Sequence, residues 1–154
     1  MKDLEDFQMI NVYILNGPNL NLLGKREPEI YGSNTIKDLE VLCDNHAKNS
    51  NLKITFKQTN SESNLIEHIH DAIDNADAII INAAAFTHTS IAILDALNCF
   101  QGYVVEVHIS DISKREDFRK FSFISIRADS VIMGQGLDGY IQAMDKIVEE
   151  TSEN

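Results

Sequence analysis

Two residues that could carry out acid–base chemistry stand close together near the start of the chain. Arg26, a permanent cation, and Tyr31, a phenol, lie between Gly24 and Gly32. A free tyrosine has a pKa of about 10, and a shift to neutrality requires about 4 kcal/mol. One close cation, at an effective dielectric constant of about 20, supplies an energy of that order. The pair is therefore either a phenolate base stabilised by an arginine or the commoner surface tyrosine beside a solvated arginine.

The segment that contains this pair, residues 16–32, is too apolar for a solvated loop. It reads NGPNLNLLGKREPEIYG and carries the apolar residues Leu20, Leu22, Leu23 and Ile30. A connection of this length inside a compact domain is usually either functional or disordered. The apolar content argues against disorder. We interpret the segment as an active-site lid with glycine hinges.

Glu106 and His108 form a second candidate pair, in the sequence EVHIS. Side chains two residues apart on a strand share a face. Glu106 is therefore expected to orient the imidazole of His108 and favour its charged form, which would make His108 a general acid. A structural histidine satisfied by a carboxylate is an equally common arrangement. For His88, which opens a predicted helix, a capping or packing role is the ordinary alternative.

Apolar residues recur with periods that predict alternating strands and helices. Strands are expected at residues 10–15, 52–56, 78–81, 103–107 and 131–133, and amphipathic helices at 36–47, 63–76, 90–97 and 137–148. This alternation indicates an α/β fold with a five-stranded parallel sheet. The strand at 52–56 has one polar face and fits a sheet edge, whereas 78–81 is apolar on both faces and fits the centre. Thr35 and Asp38 match a capping box.

Polar residues follow three of these strands at the point where each ends. Residues 16–19 follow the first strand, Asn82 ends the third and residues 108–110 end the fourth. The carboxyl ends of parallel strands meet at one edge of the sheet, where ligands bind in open α/β folds. We therefore expect these residues to line one crevice.

The composition is that of one ordinary globular domain of 154 residues, with a core at 10–148 and a frayed polar tail at 149–154. The net charge of −11 argues against nucleic acid and anionic membranes as partners, and it requires local cations to hold any anionic ligand. No stretch has transmembrane length and no signal peptide is evident, so the cytoplasm is the default expectation. Cys43 and Cys99 are expected to be buried, reduced thiols.

The chain resembles the type II 3-dehydroquinate dehydratases, small lyases of the shikimate pathway. The resemblance extends in order from Val12 to Val148, and its most specific motifs lie at 16–32, at 82–90 (NAAAFTHTS), at 106–110 (EVHIS) and at 115–119 (REDFR). It implies a flavodoxin-like three-layer sandwich with strand order 2-1-3-4-5. It also implies a cofactor-independent hydro-lyase that converts 3-dehydroquinate to 3-dehydroshikimate through an enolate.

The resemblance implies a catalytic role for five residues. Tyr31, as the phenolate, would abstract a proton alpha to the ketone, and Arg26 would keep it ionised and stabilise the developing charge. Asn19 would hold a water or the enolate oxygen. His108, oriented by Glu106, would protonate the departing hydroxyl.

The resemblance also implies substrate contacts and an assembly. The positions that match substrate-binding residues are Asn82, His88, Ile109, Ser110 and Arg119. Asp95 matches a residue that reaches a neighbouring subunit's site, which implies a homo-oligomer, a dodecamer built of trimers. The chain departs from the family pattern at 83–85, where alanines replace a run that normally contains glycine. It also departs at Leu94, which stands in place of an arginine and is expected to add apolar area to the subunit contact.

Two other kinds of site are suggested by parts of the pattern. The sequence GQGLDG at 134–139 formally matches a dinucleotide-binding loop, but the strand and acidic residue that should follow are missing. A tight turn and close helix packing explain these glycines instead. A flavodoxin-like module that binds FMN or a nucleotide remains the alternative to an enzyme, although residues 16–19 are a poor phosphate loop. No cysteine and histidine pattern for zinc is present, so we expect no metal and no cofactor.

Overall fold

Five parallel strands form the sheet around which the described part of the chain is built. This computed structural model describes residues 9–151, except for the side chain of Tyr31. The strands are β1 (Ile10–Asn16), β2 (Leu52–Gln58), β3 (Ala78–Asn82), β4 (Tyr103–His108) and β5 (Ser130–Met133). The α-helices are α1 (Pro28–Tyr31), α2 (Ile36–Lys48), α3 (Glu62–Asn75), α4 (Ile91–Asn98) and α5 (Asp138–Thr151). The strand order is β2-β1-β3-β4-β5, which confirms the predicted order 2-1-3-4-5.

Helices cover both faces of the sheet and bury two apolar layers. α2 and α5 share one apolar cluster with Val12 and Ile14, whereas α3 and α4 share the other cluster with Tyr13 and Leu15. Successive side chains of a strand point to opposite faces, so β1 contributes to both layers. Each fully buried Leu or Ile side chain contributes roughly 1.5–3 kcal/mol. The expected α/β, flavodoxin-like three-layer sandwich is therefore confirmed.

The polarity patterns of the strands and the first long helix are matched by the structure. β2 forms an edge of the sheet, and β3 lies at its centre with Ile79, Ile80 and Ile81 fully buried. Thr35 caps α2, because its side chain accepts from the Asp38 N–H at 3.1 Å while the Asp38 carboxylate accepts from the Thr35 N–H at 2.9 Å. The predicted capping box is confirmed.

Two predictions about the chain's surface are wrong. α5 continues to Thr151, whose hydroxyl donates to the Ile147 carbonyl at 2.7 Å, so residues 149–151 are helical rather than frayed. Residues 152–154 lie outside the described residues. Cys99 is exposed because it follows the last turn of α4, whereas Cys43 is buried as expected.

The segment after β1 is folded, and its first half is anchored in the core. Leu20 and Leu23 are 6% and 4% exposed and belong to the apolar cluster of α2 and α5. Leu22 is exposed, and the single turn of α1 follows. Gly24 and Gly32 have φ values of 88° and 82°, a region that favours glycine. The apolar residues thus hold the predicted lid in place, while its closure over a ligand remains a prediction.

β1 and β3 approach each other closely where both strands end. The Gly17 N–H donates to the Asn82 carbonyl at 2.8 Å. A methyl group on Gly17 would stand 2.4 Å from the carbonyl oxygen of Ala83. This oxygen belongs to the backbone and cannot rotate away. A glycine is therefore required where the chain leaves β1.

We expect Gly17→Ala to lower the free energy of unfolding by about 1–3 kcal/mol, the usual cost of an extra methyl group in a close-packed site. Urea denaturation measures this loss, and amide hydrogen exchange at residue 17 should become faster. Gly139→Ala is the matched control, because its added methyl group would meet only side-chain atoms, at 3.4 Å or more. It should leave the exchange at residue 17 unchanged. Wild-type stability and exchange in Gly17→Ala would contradict the steric requirement.

Candidate active site

A cavity opens at the carboxyl edge of the sheet, beside the ends of β1, β3 and β4. It encloses about 640 Å³ when space open to solvent is included, a volume typical of small-molecule sites. Eight residues predicted from the sequence line it: Asn19, Arg26, Asn82, His88, His108, Ile109, Ser110 and Arg119. The strand ends thus bring these sequence-distant residues together, and their individual roles remain predictions.

Two other predicted site residues, Glu106 and Asp95, do not line the cavity. Glu106 is fully buried and contacts His108, and Asp95 is exposed on α4. The side chain of Tyr31 lies outside the described residues, although the backbone of Tyr31 ends α1. Leu94 is only 8% exposed. The expected apolar contribution of Leu94 to a subunit contact is therefore wrong, because this side chain packs within its own subunit.

Glu106 and His108 are joined by a hydrogen bond between side chains on the same face of β4. His108 Nε2 donates to Glu106 Oε2, and the two residues are 4% and 0% exposed respectively. A hydrogen bond at one ring nitrogen determines which nitrogen remains for a ligand. Here Nδ1 is the nitrogen that Glu106 leaves available. The spacing of the two residues therefore predicts their contact correctly.

The Glu106 carboxyl is stabilised as an ion despite its burial. Burial raises the pKa of this carboxyl. The hydrogen bond from His108, the charge on His108 and the hydroxyls of Ser122 and Ser125 outweigh burial and bring the pKa below its ordinary value of 4.5. Ser122 Oγ donates to Oε2 at 2.6 Å and Ser125 Oγ donates to Oε1 at 2.5 Å. Glu106 is therefore a carboxylate at neutral pH.

The cavity is rich in cations, although the protein carries a net charge of −11. Arg26, Arg115 and Arg119 line it together with two imidazoles, and none of the lining residues in the described part of the chain is acidic. Arg119 Nε lies 3.2 Å from Glu116 Oε2, an ion-pair distance, but it is buried without a hydrogen bond of suitable geometry. A buried donor of this kind suits an acceptor oxygen on a ligand. The cavity therefore fits an anion that carries additional oxygens.

The sequence of the chain matches a known protein family over most of its length. Residues 10–148 match the family described as Dehydroquinase class II. The chain belongs to the class II dehydroquinase family.

Relatives within this family resemble the chain over most of its length. A 3-dehydroquinate dehydratase of Cereibacter sphaeroides is 52% identical over 136 residues, which cover 88% of the chain and 92% of the relative. The 3-dehydroquinate dehydratase of Streptomyces coelicolor is 53% identical over 137 residues, which cover 88% and 87%. The crystal structure of the type II dehydroquinase from Butyrivibrio crossotus superposes with a TM-score of 0.88 at 40% identity, covering 90% of this chain and 97% of that one. None of these findings supports the FMN-binding alternative.

A buried tyrosine that the sequence pattern marks only as apolar holds two asparagines at the ends of β1 and β3. Tyr140 of α5 donates from its hydroxyl to Asn16 Oδ1 at 2.7 Å and accepts from Asn82 Nδ2 at 2.9 Å. Burial raises the pKa of Tyr140, which therefore remains a phenol. Asn82 Oδ1 accepts from the Ala84 N–H at 3.1 Å. The Asn82 amide is thus held at both ends, and one of its N–H groups remains for a ligand.

Two further features of the dehydroquinase cavity were not predicted. Arg115 lines the cavity, and its Nη1 lies 3.4 Å from Ser110 Oγ. The sequence predicts a role only for Arg119 of the REDFR motif. The place of Arg115 in the loop after β4 was the available signal. Asn19 has a φ of 70°, and its N–H donates to Asn60 Oδ1 at 3.0 Å. The end of β2 therefore shapes the loop that follows β1.

The glycine loop at 134–139 forms a turn that contacts the cavity wall at Ile109. Gly134 and Gly136 have positive φ values, and the Gly136 N–H donates to the Ile109 carbonyl at 3.1 Å. These contacts match the predicted tight turn. Within residues 9–151, no cluster of three or more His, Cys, Asp or Glu side chains could hold a metal ion. The expectation of a cofactor-free enzyme remains a prediction.

The lowered pKa of Glu106 predicts how stability depends on pH. Because the folded carboxyl has a pKa below its ordinary value of 4.5, its contribution is fully present above that pH and is lost as the pH falls through the folded pKa. We expect Glu106→Gln to cost about 3–5 kcal/mol of unfolding free energy at neutral pH, since a buried charged partner is removed. In urea titrations, the difference from wild type should shrink below pH 4.5.

Glu67→Gln provides the control for this titration, because Glu67 is an exposed carboxylate on α3. It should leave the pH dependence of stability as in the wild type. A difference between Glu106→Gln and wild type that stays constant on acidification would contradict the assigned ionisation of Glu106.

Proposed function

We propose that this chain is a hydro-lyase of the shikimate pathway that dehydrates 3-dehydroquinate to 3-dehydroshikimate without a cofactor. Family membership and the names of the relatives support the proposal. The observation that carries it is the contact of Glu106 with His108 beside a cavity lined by arginines. This arrangement combines a proton donor with sites for an anionic, hydroxylated substrate.

The reaction removes a proton from carbon and a hydroxyl from the neighbouring carbon. Tyr31, as a phenolate, accepts the proton alpha to the ketone, and the electron pair moves onto the ketone oxygen to form an enolate. Arg26 and Asn19 stabilise the negative charge that develops there. When the enolate collapses, the carbon–oxygen bond breaks and His108 donates the proton that releases the hydroxyl as water. Glu106 orients the imidazole for this step.

The substrate carboxylate and hydroxyls are matched by donors in the cavity. In the proposed complex, the backbone N–H groups of Ile109 and Ser110, together with the free N–H of Asn82, bind the carboxylate. His88 and Arg119 bind the ring hydroxyls, and Nε of Arg119, which makes no hydrogen bond within the described part of the chain, gives one such hydroxyl a donor. No lysine lines the cavity in the described part of the chain. That finding favours the enolate route over an imine.

We expect Tyr31→Phe and Arg26→Ala each to lower kcat at least about 100-fold, the usual contribution of a positioned acid or base. The assay follows the absorbance of the conjugated enone formed from 3-dehydroquinate with purified protein and no additives. Tyr103→Phe is the control, because Tyr103 lies at the opposite end of β4 and bonds Ser130 at 3.0 Å. Turnover near wild type in Tyr31→Phe would remove this residue as the base. An inactive, yellow wild-type protein would favour the FMN-binding alternative.

We further propose a homo-oligomer, a dodecamer built of trimers, in which Asp95 reaches a neighbouring subunit's substrate. Asp95 is exposed on α4, and Ile91, four residues earlier on the same face, is 57% exposed. Because acidic chains repel one another, assembly requires apolar contacts of this kind beside local charge pairs. The exposed face of α4 supports the proposal.

Light scattering should show the dodecamer for the wild type, and Asp95→Ala should raise KM about tenfold or more. This increase corresponds to the loss of one hydrogen bond to a charged group. Asp74→Ala, which removes an exposed carboxylate from α3, should leave KM unchanged. A fully active monomer at the assay concentration would disprove the cross-subunit role of Asp95 without affecting the assignments of Arg26 and His108.

The location and the excluded partners also belong to the proposal. Across residues 9–151, no helix is both long enough and apolar enough to cross a membrane. A cytoplasmic location and the absence of nucleic acid or membrane partners stay predictions from composition.

A further inference from the structure

Glu106 has more hydrogen-bond partners than the orientation of one imidazole requires. Ser122 and Ser125 donate to its two oxygens at 2.6 and 2.5 Å. Thr87 Oγ1 lies 3.4 Å from Oε2 and 2.6 Å from Ser122 Oγ. We call Thr87, Ser122 and Ser125 the hydroxyl cradle. None of its members lines the cavity.

The directions of these hydrogen bonds follow from the ionisation of Glu106. A carboxylate only accepts, so each serine must use its single hydrogen to donate to Glu106. Ser122 Oγ is then left as an acceptor, and the shorter contact of Thr87 supplies its donor. Thr87 is 0% exposed and Ser122 is 6% exposed, so water competes little with this chain of bonds. Thr87, Ser122 and Glu106 thus form an ordered series that ends at His108.

The groups that face Glu106 from the surrounding elements are otherwise neutral. Its register neighbours on β3 and β5 are Ile81 and Val131. The turn after β3 presents Thr87, and the segment before β5 presents the two serines. Among the described residues that interact with the carboxylate, His108 is the titratable group. Any change in the cradle therefore acts on the contact between Glu106 and His108.

The segment that contains the two cradle serines also contacts His88, which lines the cavity. The Phe123 N–H donates to the Thr87 carbonyl at 2.8 Å, and His88 Nδ1 lies 2.7 Å from the Phe121 carbonyl oxygen. A carbonyl can only accept, so Nδ1 of His88 carries the hydrogen. The segment at 121–125 thus holds His88 on one side and Glu106 on the other. A positioning role explains why a hydroxyl residue, Ser122, occupies a buried position of this segment.

We propose that Thr87, Ser122 and Ser125 are positioning residues of the dehydratase, which hold Glu106 as an oriented carboxylate and thereby keep His108 as the proton donor. This inference rests on the proposed function, because it assigns His108 the acid step. It adds to the Glu106–His108 pair a series of hydrogen-bonded residues that begins with Thr87 in the turn after β3. It also predicts that removal of a hydroxyl alters the pH dependence of catalysis, not only the stability of the fold.

The test compares the pH profile of kcat in wild type, Ser122→Ala and Thr87→Val. Thr87→Val keeps the shape of the side chain, which provides a second variant if Ser122→Ala folds poorly. Loss of one hydrogen bond to a charged group should lower kcat about tenfold at neutral pH. It should also move the acid limb of the profile to higher pH, because a carboxylate with fewer donors takes up a proton more readily. Ser122→Thr retains the hydroxyl and should restore the wild-type limb.

Ser61→Ala is the matched control, because it removes another hydrogen-bonded serine, whose side chain accepts from the Asn64 N–H at the start of α3. It should lower stability without moving the profile. A nitrogen NMR titration of the His108 ring, recorded without substrate, should shift in Ser122→Ala and Thr87→Val but not in Ser61→Ala. Wild-type profiles and ring titrations in both cradle variants would overturn the positioning role. An inactive wild type with altered ring titrations in the variants would overturn the proposed function and leave the cradle's effect on His108 established.

Discussion

The charged carboxylate of Glu106 is buried away from water. Several parts of the chain therefore supply the hydrogen-bond donors that stabilise it. An unpaired carboxylate in such a place would cost several kcal/mol. Its partners come from β4 itself, from the turn after β3 and from the segment before β5. These three regions must therefore fold together before the charge is stabilised. The acid group of the site and the packing of this side of the sheet are consequently one structural unit.

The cavity is lined by positive charges, whereas the whole protein carries a negative net charge. The two charges act over different distances. Most of the acidic residues among positions 9–151 are exposed, and at physiological salt their field fades over about 8 Å. Inside the cavity, Arg26, Arg115 and Arg119 lie within direct reach of a ligand, where screening is weak. An anion is thus repelled little at long range and is held strongly at contact. The net charge of −11 is therefore compatible with an anionic substrate.

The features that the sequence predicts well depend on local repetition. The apolar runs predict all five strands, and the two-residue spacing predicts the contact of Glu106 with His108. Thr35 and Asp38 predict the start of α2 because a capping box is complete within four residues. Such signals need only the geometry of one element. The carboxyl ends of parallel strands then place eight expected residues around the cavity without knowledge of any side-chain packing.

The features that the sequence does not predict are contacts between distant segments. Tyr140 reads as one more apolar position of α5, and only the folded chain brings its hydroxyl to Asn16 and Asn82. The role of Ser122 likewise depends on its hydrogen bond to the carboxylate of Glu106, 16 residues away in the sequence. Leu94 is buried because the rotation of α4, which periodicity predicts only coarsely, decides which of its side chains face the core, whereas Cys99 is exposed because it follows the last turn of that helix.

The two buried leucines of the lid divide that segment into parts with different freedom. Withdrawing Leu20 and Leu23 from the core would expose both side chains, at a cost of roughly 3–6 kcal/mol by the usual value per residue. Such a state would be populated in fewer than about one molecule in a hundred. Residues 24–32 lie beyond both leucines, and a glycine with positive φ stands at each end of this range. A rearrangement that keeps both leucines buried can therefore involve residues 24–32, where Arg26 lies, but it leaves Asn19 in the anchored half of the segment.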